Sequence, residues 1–208
     1  GGNAARRLVE KGWRVVGFNR TADDIKIFES EGGQGAYSID ELVSKLKGPR
    51  TILLSLPAGK ATDDMIDQLI PLLSKGDLII DGANAYYKES RKNGEKVEKA
   101  GFQYLDAGIS GGPGGARNGA CIMIGGKREV FEQIEPLFRD MARDGAVAFF
   151  DGYGAGHFVK MVHNGIEYGM MQALAEGFNI LKNAPYEIDL EKVTEIYNNG
   201  SVIESRLV

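Results

Sequence analysis

Cysteine is almost missing from this chain: Cys121 stands alone, so no disulfide can form within it, and a scaffold stapled for an oxidising compartment is excluded. No apolar run reaches the ~18 residues that a membrane-spanning helix needs, and no N-terminal segment has the pattern of a secretory signal. A surplus of positive charge is lacking too. Lys and Arg number 25 against 29 Asp and Glu, a formal net charge of -4. Without a basic field there is nothing to draw in nucleic acid or an anionic lipid surface, so an anion must be caught by local groups. The composition also lacks the low complexity of disordered chains, the three-residue period of collagen and the heptads of a coiled coil. The expectation is a globular protein of the cytoplasm, with neither nucleic acid nor membrane as partner. The chain opens Gly1-Gly2-Asn3 and closes at Val208 in a stretch of helical character, so both ends are expected to be cut.

Glycine, in contrast, is abundant: 29 of 208 residues is about 14%, twice the usual ~7%. Glycine in an ordered chain marks tight turns and close backbone approach. The length corresponds to one domain and part of another. Short apolar runs rich in Val, Ile, Leu and aromatics occupy 14–18, 51–56, 77–80, 102–105, 120–124 and 146–150, and read as strands. Between them, segments 3–11, 23–31, 39–47, 62–74, 88–100 and 129–142 repeat apolar residues at three and four and read as helices. The alternation predicts a parallel, doubly wound α/β sheet of Rossmann type covered on both faces. After the glycine-rich turn at 151–156, an uninterrupted helical pattern runs to about Lys182, and a further helix is expected over 187–199. The domain boundary falls near Tyr153: residues 1–153 form the α/β domain and 154–208 begin an all-α domain.

Three strand ends carry candidate cofactor residues, since open α/β sheets bind ligands beyond the carboxyl ends of their strands. Asn19-Arg20-Thr21 follows the strand at 14–18, at the distance from Gly1 where a dinucleotide-binding unit reads the ribose. An arginine at that place suits a 2′-phosphate through charge-assisted hydrogen bonds and so favours NADP, with NAD possible. Pro57-Ala58-Gly59 and Gly82-Ala83-Asn84 follow the next two strands, and ordinary turn chemistry accounts for these residue types equally well.

From Asp106 to Ala116 five glycines follow a strand, a loop whose amides can cup a carboxylate or phosphate or simply need positive φ. On the long helix, at about 100° per residue, Lys160, His163, Asn164 and Glu167 share one stripe about 100° wide, while Met161, Val162, Ile166 and Met170 fall outside it. A base, an acid and two neutral hydrogen-bonding groups on one narrow stripe suit a cleft wall as well as a solvated face. Gly154, Gly156, Gly165 and Gly169 thin this helix and are expected to let other elements pack closely.

Taken together, the Lys160–Tyr168 segment, the Ile109-Ser110-Gly111-Gly112 loop with Gly115-Ala116-Arg117 behind it, Asn19-Arg20-Thr21 and Asp81-Gly82-Ala83-Asn84 resemble the decarboxylating 6-phosphogluconate dehydrogenases, within the β-hydroxyacid dehydrogenase superfamily. Pro113-Gly114 and the Phe149–Tyr153 segment are more similar to the shorter bacterial and archaeal branch, which includes NAD users. The resemblance implies oxidation and decarboxylation of 6-phosphogluconate to ribulose 5-phosphate and CO₂ in the pentose phosphate pathway, with NADP as cofactor, no metal, and a homodimer or dimer-based oligomer formed through the helical domain. It implies Lys160 and Glu167 as catalytic groups. It implies Asn84, Ser110, Gly111, Gly112, His163, Asn164 and Tyr168 at the substrate, and Gly1, Asn19, Arg20, Thr21, Pro57, Ala58, Gly59 and Asn84 at the cofactor. Two other readings remain: a relative that oxidises a small 3-hydroxy acid without releasing CO₂, and a non-catalytic NADP-binding protein.

Overall fold

A computed structural model describes residues 1–208. It divides into two compact units, Gly1–Met161 and Val162–Val208.

The first unit alternates helix and strand: α1 (Gly2–Glu10), β1 (Val16–Phe18), α2 (Ala22–Ser30), β2 (Gln34–Ala36), α3 (Ile39–Lys45), β3 (Thr51–Leu54), α4 (Lys60–Leu69), β4 (Leu78–Asp81), α5 (Tyr87–Lys99), β5 (Gln103–Ser110), α6 (Gly112–Asn118), β6 (Ala120–Gly126), α7 (Arg128–Met141) and β7 (Ala142–Asp151). The helix α8 (Ala155–Lys182) then runs on past the division. Strands β1 and β2 pair in parallel, and β3 to β7 form a sheet in chain order.

Alternation along the strands sends side chains to two separate cores. Leu78, Ile80, Leu105, Ile122 and Ile124 join Leu8 and the α7 residues Val130, Leu137 and Phe138 on one face. Ile79 and Tyr104 join Ile52, Leu54, Ile66, Leu69 and Val97 on the other. A strand with both faces covered is apolar wherever no polar partner waits: every residue of β4 is buried, Leu78, Ile79 and Ile80 among apolar side chains and Asp81 against the Tyr104 hydroxyl. The doubly wound α/β expectation is therefore realised.

In three respects the sheet departs from the expectation. It is not wholly parallel, because β6 runs antiparallel to β5, with Ser110 opposite Cys121. The connection from Ser110 to Ala120 spans only 111–119, short of the dozen or so residues that a parallel crossover requires. Second, β5 continues through Asp106 to Ser110, so half of the anticipated glycine loop is strand and most of the remainder is α6, turned by Gly111 and Gly112 at φ 120° and 59°. Third, β2 has no apolar run to announce it; two of its three residues are Gly35 and Ala36.

The second unit contains the rest of α8 and α9 (Leu190–Tyr197), whose start is capped by Asp189 accepting from the amides of Glu191 and Lys192 at 3.0 and 3.2 Å. Phe178 and Tyr197 meet edge to face at 6.2 Å. The apolar side of α8 is not core here: Ile166, Met170, Met171 and Ile180 are exposed. No helix is long and apolar enough to cross a membrane.

Candidate active site

The carboxyl end of β5 gathers the candidate groups of the first unit. Asn84, in the turn after β4, adopts φ 52°, a left-handed conformation that asparagine tolerates better than most side chains. Its Nδ2 donates to the carbonyl of Ile109 at 3.0 Å and its Oδ1 accepts the amide of the same residue at 2.8 Å. This two-point clamp fixes the side chain beside Ser110. One residue upstream, Gly108 leaves bare backbone over which Lys160 lies: a Cβ at Gly108 would overlap the Cβ of Lys160 and stand 2.9 Å from the carbonyl oxygen of Gly156. Lys160 is 6% exposed. Lys160, Asn84 and Ser110 thus meet within three consecutive residues of one strand.

The start of α8 is pressed onto the sheet by further glycines. A Cβ at Gly125 would stand 2.5 Å from the amide nitrogen of Gly156. One at Gly156 would strike the carbonyl of Met123, and one at Gly154 the carbonyl of Tyr87. The expectation of close packing holds for Gly154 and Gly156. For Gly165 and Gly169 it does not, since the space where their Cβ would stand is open.

Beneath the lysine lies a buried polar group that sequence reasoning missed. Asp106, with no exposed surface, accepts the amide of Gly154 at 2.6 Å through Oδ1 and that of His157 at 2.8 Å through Oδ2. Burial pushes its carboxyl above the ordinary carboxylate value, while His157 and the two amides pull the other way. The His157 ring, also buried, meets Ser90 Oγ at 2.6 Å through Nδ1, and its Nε2 has no partner. Tyr104 donates to Asp81 Oδ2 at 2.9 Å, and burial, then the Asp81 and Asp106 charges, push its hydroxyl well above its usual value. The signal in the sequence was Tyr104-Leu105-Asp106 itself, because a carboxylate in a buried apolar run must find donors.

The remaining candidates sit at other strand ends. Asn19 donates to Asp24 at 2.7 Å and accepts the Thr21 amide at 3.3 Å, closing the turn in which Arg20 stands exposed and outside every salt bridge. Gly1 lies against Ser55, just past β3, where a Cβ would come within 3.1 Å of the Ser55 Cβ. In the turn between β3 and α4, the Pro57 carbonyl accepts from Thr62 Oγ1 at 3.0 Å, Ala58 is exposed, and Gly59 begins α4 at φ 80°. On α8 in the second unit, His163 Nδ1 is 3.2 Å from Asn164 Oδ1 and 3.6 Å from Glu167 Oε2, and Tyr168 is exposed. No group of three or more His, Cys, Asp or Glu side chains is placed to share a metal ion.

A doubly wound sheet with glycine, asparagine and arginine at its strand ends, continued by a long helix that brings in a buried lysine, defines a nucleotide-binding dehydrogenase domain with its helical extension. The chain belongs to the 6-phosphogluconate dehydrogenase family: residues 1–154 match the NAD-binding domain of 6-phosphogluconate dehydrogenase and 156–208 its C-terminal domain. A candidate 6-phosphogluconate dehydrogenase of Bacillus subtilis is 43% identical over 206 residues, which are 99% of this chain and 69% of that protein. An NAD(+)-dependent, decarboxylating 6-phosphogluconate dehydrogenase of Haloferax volcanii is 40% identical, with 97% of this chain and 67% of that protein covered. The 6-phosphogluconate dehydrogenase of Plasmodium falciparum, solved free, with its cofactor NADP+ and with its substrate 6-phosphogluconate, superposes with a TM-score of 0.87 at 31% identity, covering 100% of this chain and 49% of that one. The chain therefore spans about two thirds of the bacterial and archaeal relatives and about half of the Plasmodium enzyme.

Proposed function

We propose that this chain carries the coenzyme domain and the start of the helical domain of an enzyme that oxidises and decarboxylates 6-phosphogluconate to ribulose 5-phosphate in the cytoplasm, with residues 1–153 serving the coenzyme and 154–208 opening the helical domain. The observation that carries this reading is the seat of Lys160: a buried lysine whose Cβ and Cγ lie over Gly108, next to the Asn84 clamp on Ile109 and to Ser110, in a chain of this family.

The coenzyme residues fit a phosphorylated dinucleotide. Arg20 is an exposed guanidinium that no carboxylate engages, as a 2′-phosphate reader must be, and the bare Gly1 next to Ser55 leaves room for backbone to approach a pyrophosphate. Asn19, Thr21, Pro57, Ala58, Gly59 and Asn84 would complete the contacts. NADP is accordingly the preferred coenzyme. When bound, its nicotinamide accepts the hydride from C3 of the sugar acid.

Lys160 takes the proton of the 3-hydroxyl during oxidation and returns a proton to the 3-keto oxygen as CO₂ leaves. Glu167 then protonates C1 of the enediol. Ser110, Gly111, Gly112, Asn84, His163, Asn164 and Tyr168 hold the substrate. A β-keto acid loses CO₂ readily once its oxygen is protonated, so a base and an acid suffice for the chemistry, each positioned proton transfer being worth ~10²–10⁴ in rate. Pairing of two copies through the helical domain is supported by the exposed Ile166, Met170, Met171 and Ile180 on α8.

The test supplies the intact protein with 6-phosphogluconate and each coenzyme, and follows reduced nicotinamide and CO₂ together. Both should appear in equal amounts. Lys160→Ala should abolish coenzyme reduction, and Glu167→Gln should slow overall turnover while sparing reduction of a bound 3-keto analogue. Coenzyme reduction without CO₂ would instead support a dehydrogenase of 3-hydroxy acids that does not decarboxylate, and neither product would sink the reading.

A further inference from the structure

Lys160 lies one turn and a half into α8, so its position depends on where that helix begins. Nothing local caps this start: Gly152, Tyr153, Gly154 and Ala155 offer no short hydroxyl or carboxylate side chain. The Ala155 amide bonds the Gly152 carbonyl at 3.2 Å, while the amides of Gly154 and His157 turn toward a strand 48 and 51 residues earlier in the chain, to the two oxygens of Asp106 at 2.6 and 2.8 Å. The carboxylate therefore serves as a cap supplied by the sheet, and its charge meets the positive end of a 28-residue helix. It sits on the strand that also presents Gly108 beneath the lysine and Ile109 to Asn84.

We infer that Asp106 is a positioning residue for Lys160: by receiving the amides of Gly154 and His157 it sets the height and rotation of the first turns of α8 against β5, and thereby holds the lysine in register with Asn84 and Ser110. A second contact acts in the same sense. Ser90, on α5, bonds the ring of His157 at 2.6 Å, so the residue whose amide Asp106 receives is also tied by its side chain to a neighbouring helix. Gly125 and Gly156 remove the side chains that would otherwise lift the helix from the sheet. The inference rests on the proposed function, since it assigns Lys160 the role of base.

Asp106→Asn retains the shape of the side chain but can accept only one of the two amides. Measured in the intact enzyme with 6-phosphogluconate and NADP, it should lower kcat by about 10²-fold, the cost of misplacing a reacting group by roughly an ångström. The coenzyme dissociation constant should stay within twofold. The deuterium isotope effect with substrate labelled at C3 should rise, because the step that Lys160 assists becomes limiting; a general loss of folded protein would lower the active fraction without moving that ratio. Ser90→Ala, a milder change that keeps the buried carboxylate, should lower kcat about 5-fold, the equivalent of one neutral hydrogen bond, with the isotope effect moving in the same direction. An Asp106→Asn or Ser90→Ala enzyme with wild-type kcat, or with a lowered kcat and an unmoved isotope effect, overturns the positioning role alone. A wild-type protein that reduces no coenzyme overturns the activity on which it rests.

Discussion

Replacing Gly108 by Ala adds one methyl group at the place where the long helix comes closest to the sheet. The new Cβ would overlap the Cβ of Lys160 and stand 3.1 Å from its Cγ and 2.9 Å from the carbonyl oxygen of Gly156. Non-bonded carbons settle at about 3.5–4.0 Å, so relieving the overlap takes on the order of 1 Å. A flexible side-chain tip could swing away without consequence, but here the atoms struck are helix backbone and the first carbon of the lysine, and the start of α8 must rise as a body. Overpacking of this kind costs about 1–3 kcal/mol of stability. A misplacement of about 1 Å in a catalytic group costs about 10²-fold in rate. Steady-state assay of Gly108→Ala should therefore show kcat reduced by about two orders of magnitude, coenzyme affinity nearly unchanged, and a lower Tm. Gly177→Ala is the control: it lies in the same helix with open space where its Cβ would stand, and should leave kcat alone while gaining up to about 1 kcal/mol from helix propensity. A Gly108→Ala enzyme that turns over at the wild-type rate would refute the view that this glycine seats the lysine.

Other perturbations test other parts of the molecule. Arg20→Ala should weaken NADP binding by about 10- to 100-fold, the loss of charge-assisted hydrogen bonds to one phosphate, and leave kinetics with NAD nearly unchanged; equal losses with both coenzymes would remove Arg20 from the 2′-phosphate. Asp77 is 1% exposed and accepts the Arg50 and Ser74 amides at 2.7 and 2.9 Å and the Arg50 guanidinium at 2.8 Å. Burial raises its carboxyl, but these donors outweigh that and hold it below the ordinary value, so its contribution is complete above the unfolded value of ~3.9 and disappears as pH falls through the folded one. Urea denaturation of Asp77→Asn should show about 3 kcal/mol of lost stability at pH 7 and a difference from wild type that shrinks as pH falls below ~3.9; a constant difference would contradict the assignment. Ser38 caps α3 by accepting the Glu41 amide at 3.1 Å, and Ser38→Ala should cost about 1 kcal/mol in the same assay, with a cost near zero showing that the cap is idle.

How far the sequence could be read depended on what each residue's neighbours were. Leu78-Ile79-Ile80 announced itself as a two-sided strand because both faces are covered by helices that demand apolar contact. Gln34-Gly35-Ala36 could not, because nothing in three small or polar residues distinguishes a strand from a turn; backbone pairing with Val16–Phe18 makes it one. The antiparallel direction of β6 was within reach, since a nine-residue connection is too short for a parallel crossover, but the apolar pattern of 120–124 is the same in either direction. On the long helix, the polar stripe of Lys160, His163, Asn164 and Glu167 followed from helical spacing alone, whereas the exposure of Ile166 and Met170 on its other side did not, because periodicity marks an apolar face without saying what covers it.

The site shows the same division between identity and placement. Lys160 was legible as a candidate because a cation on a stripe with an acid and two amide or imidazole groups is chemically distinctive. Its burial was not, since a lysine at 6% exposure depends on a seat built from residues far away in the chain. That seat is the absence of a side chain at Gly108, and a missing atom leaves no pattern in one sequence beyond the letter G. Asp106 was harder still. As the first residue of a glycine-rich loop it carried no role of its own; placed on β5, it becomes a buried carboxylate that two amides at the start of α8 need. The glycines and the aspartate are thus one device: the first allow the helix to come down on the strand, and the second gives its exposed amides a reason to stop there. A substitution that fills the glycines and one that empties the aspartate should therefore fail alike, with coenzyme still bound and the lysine out of register.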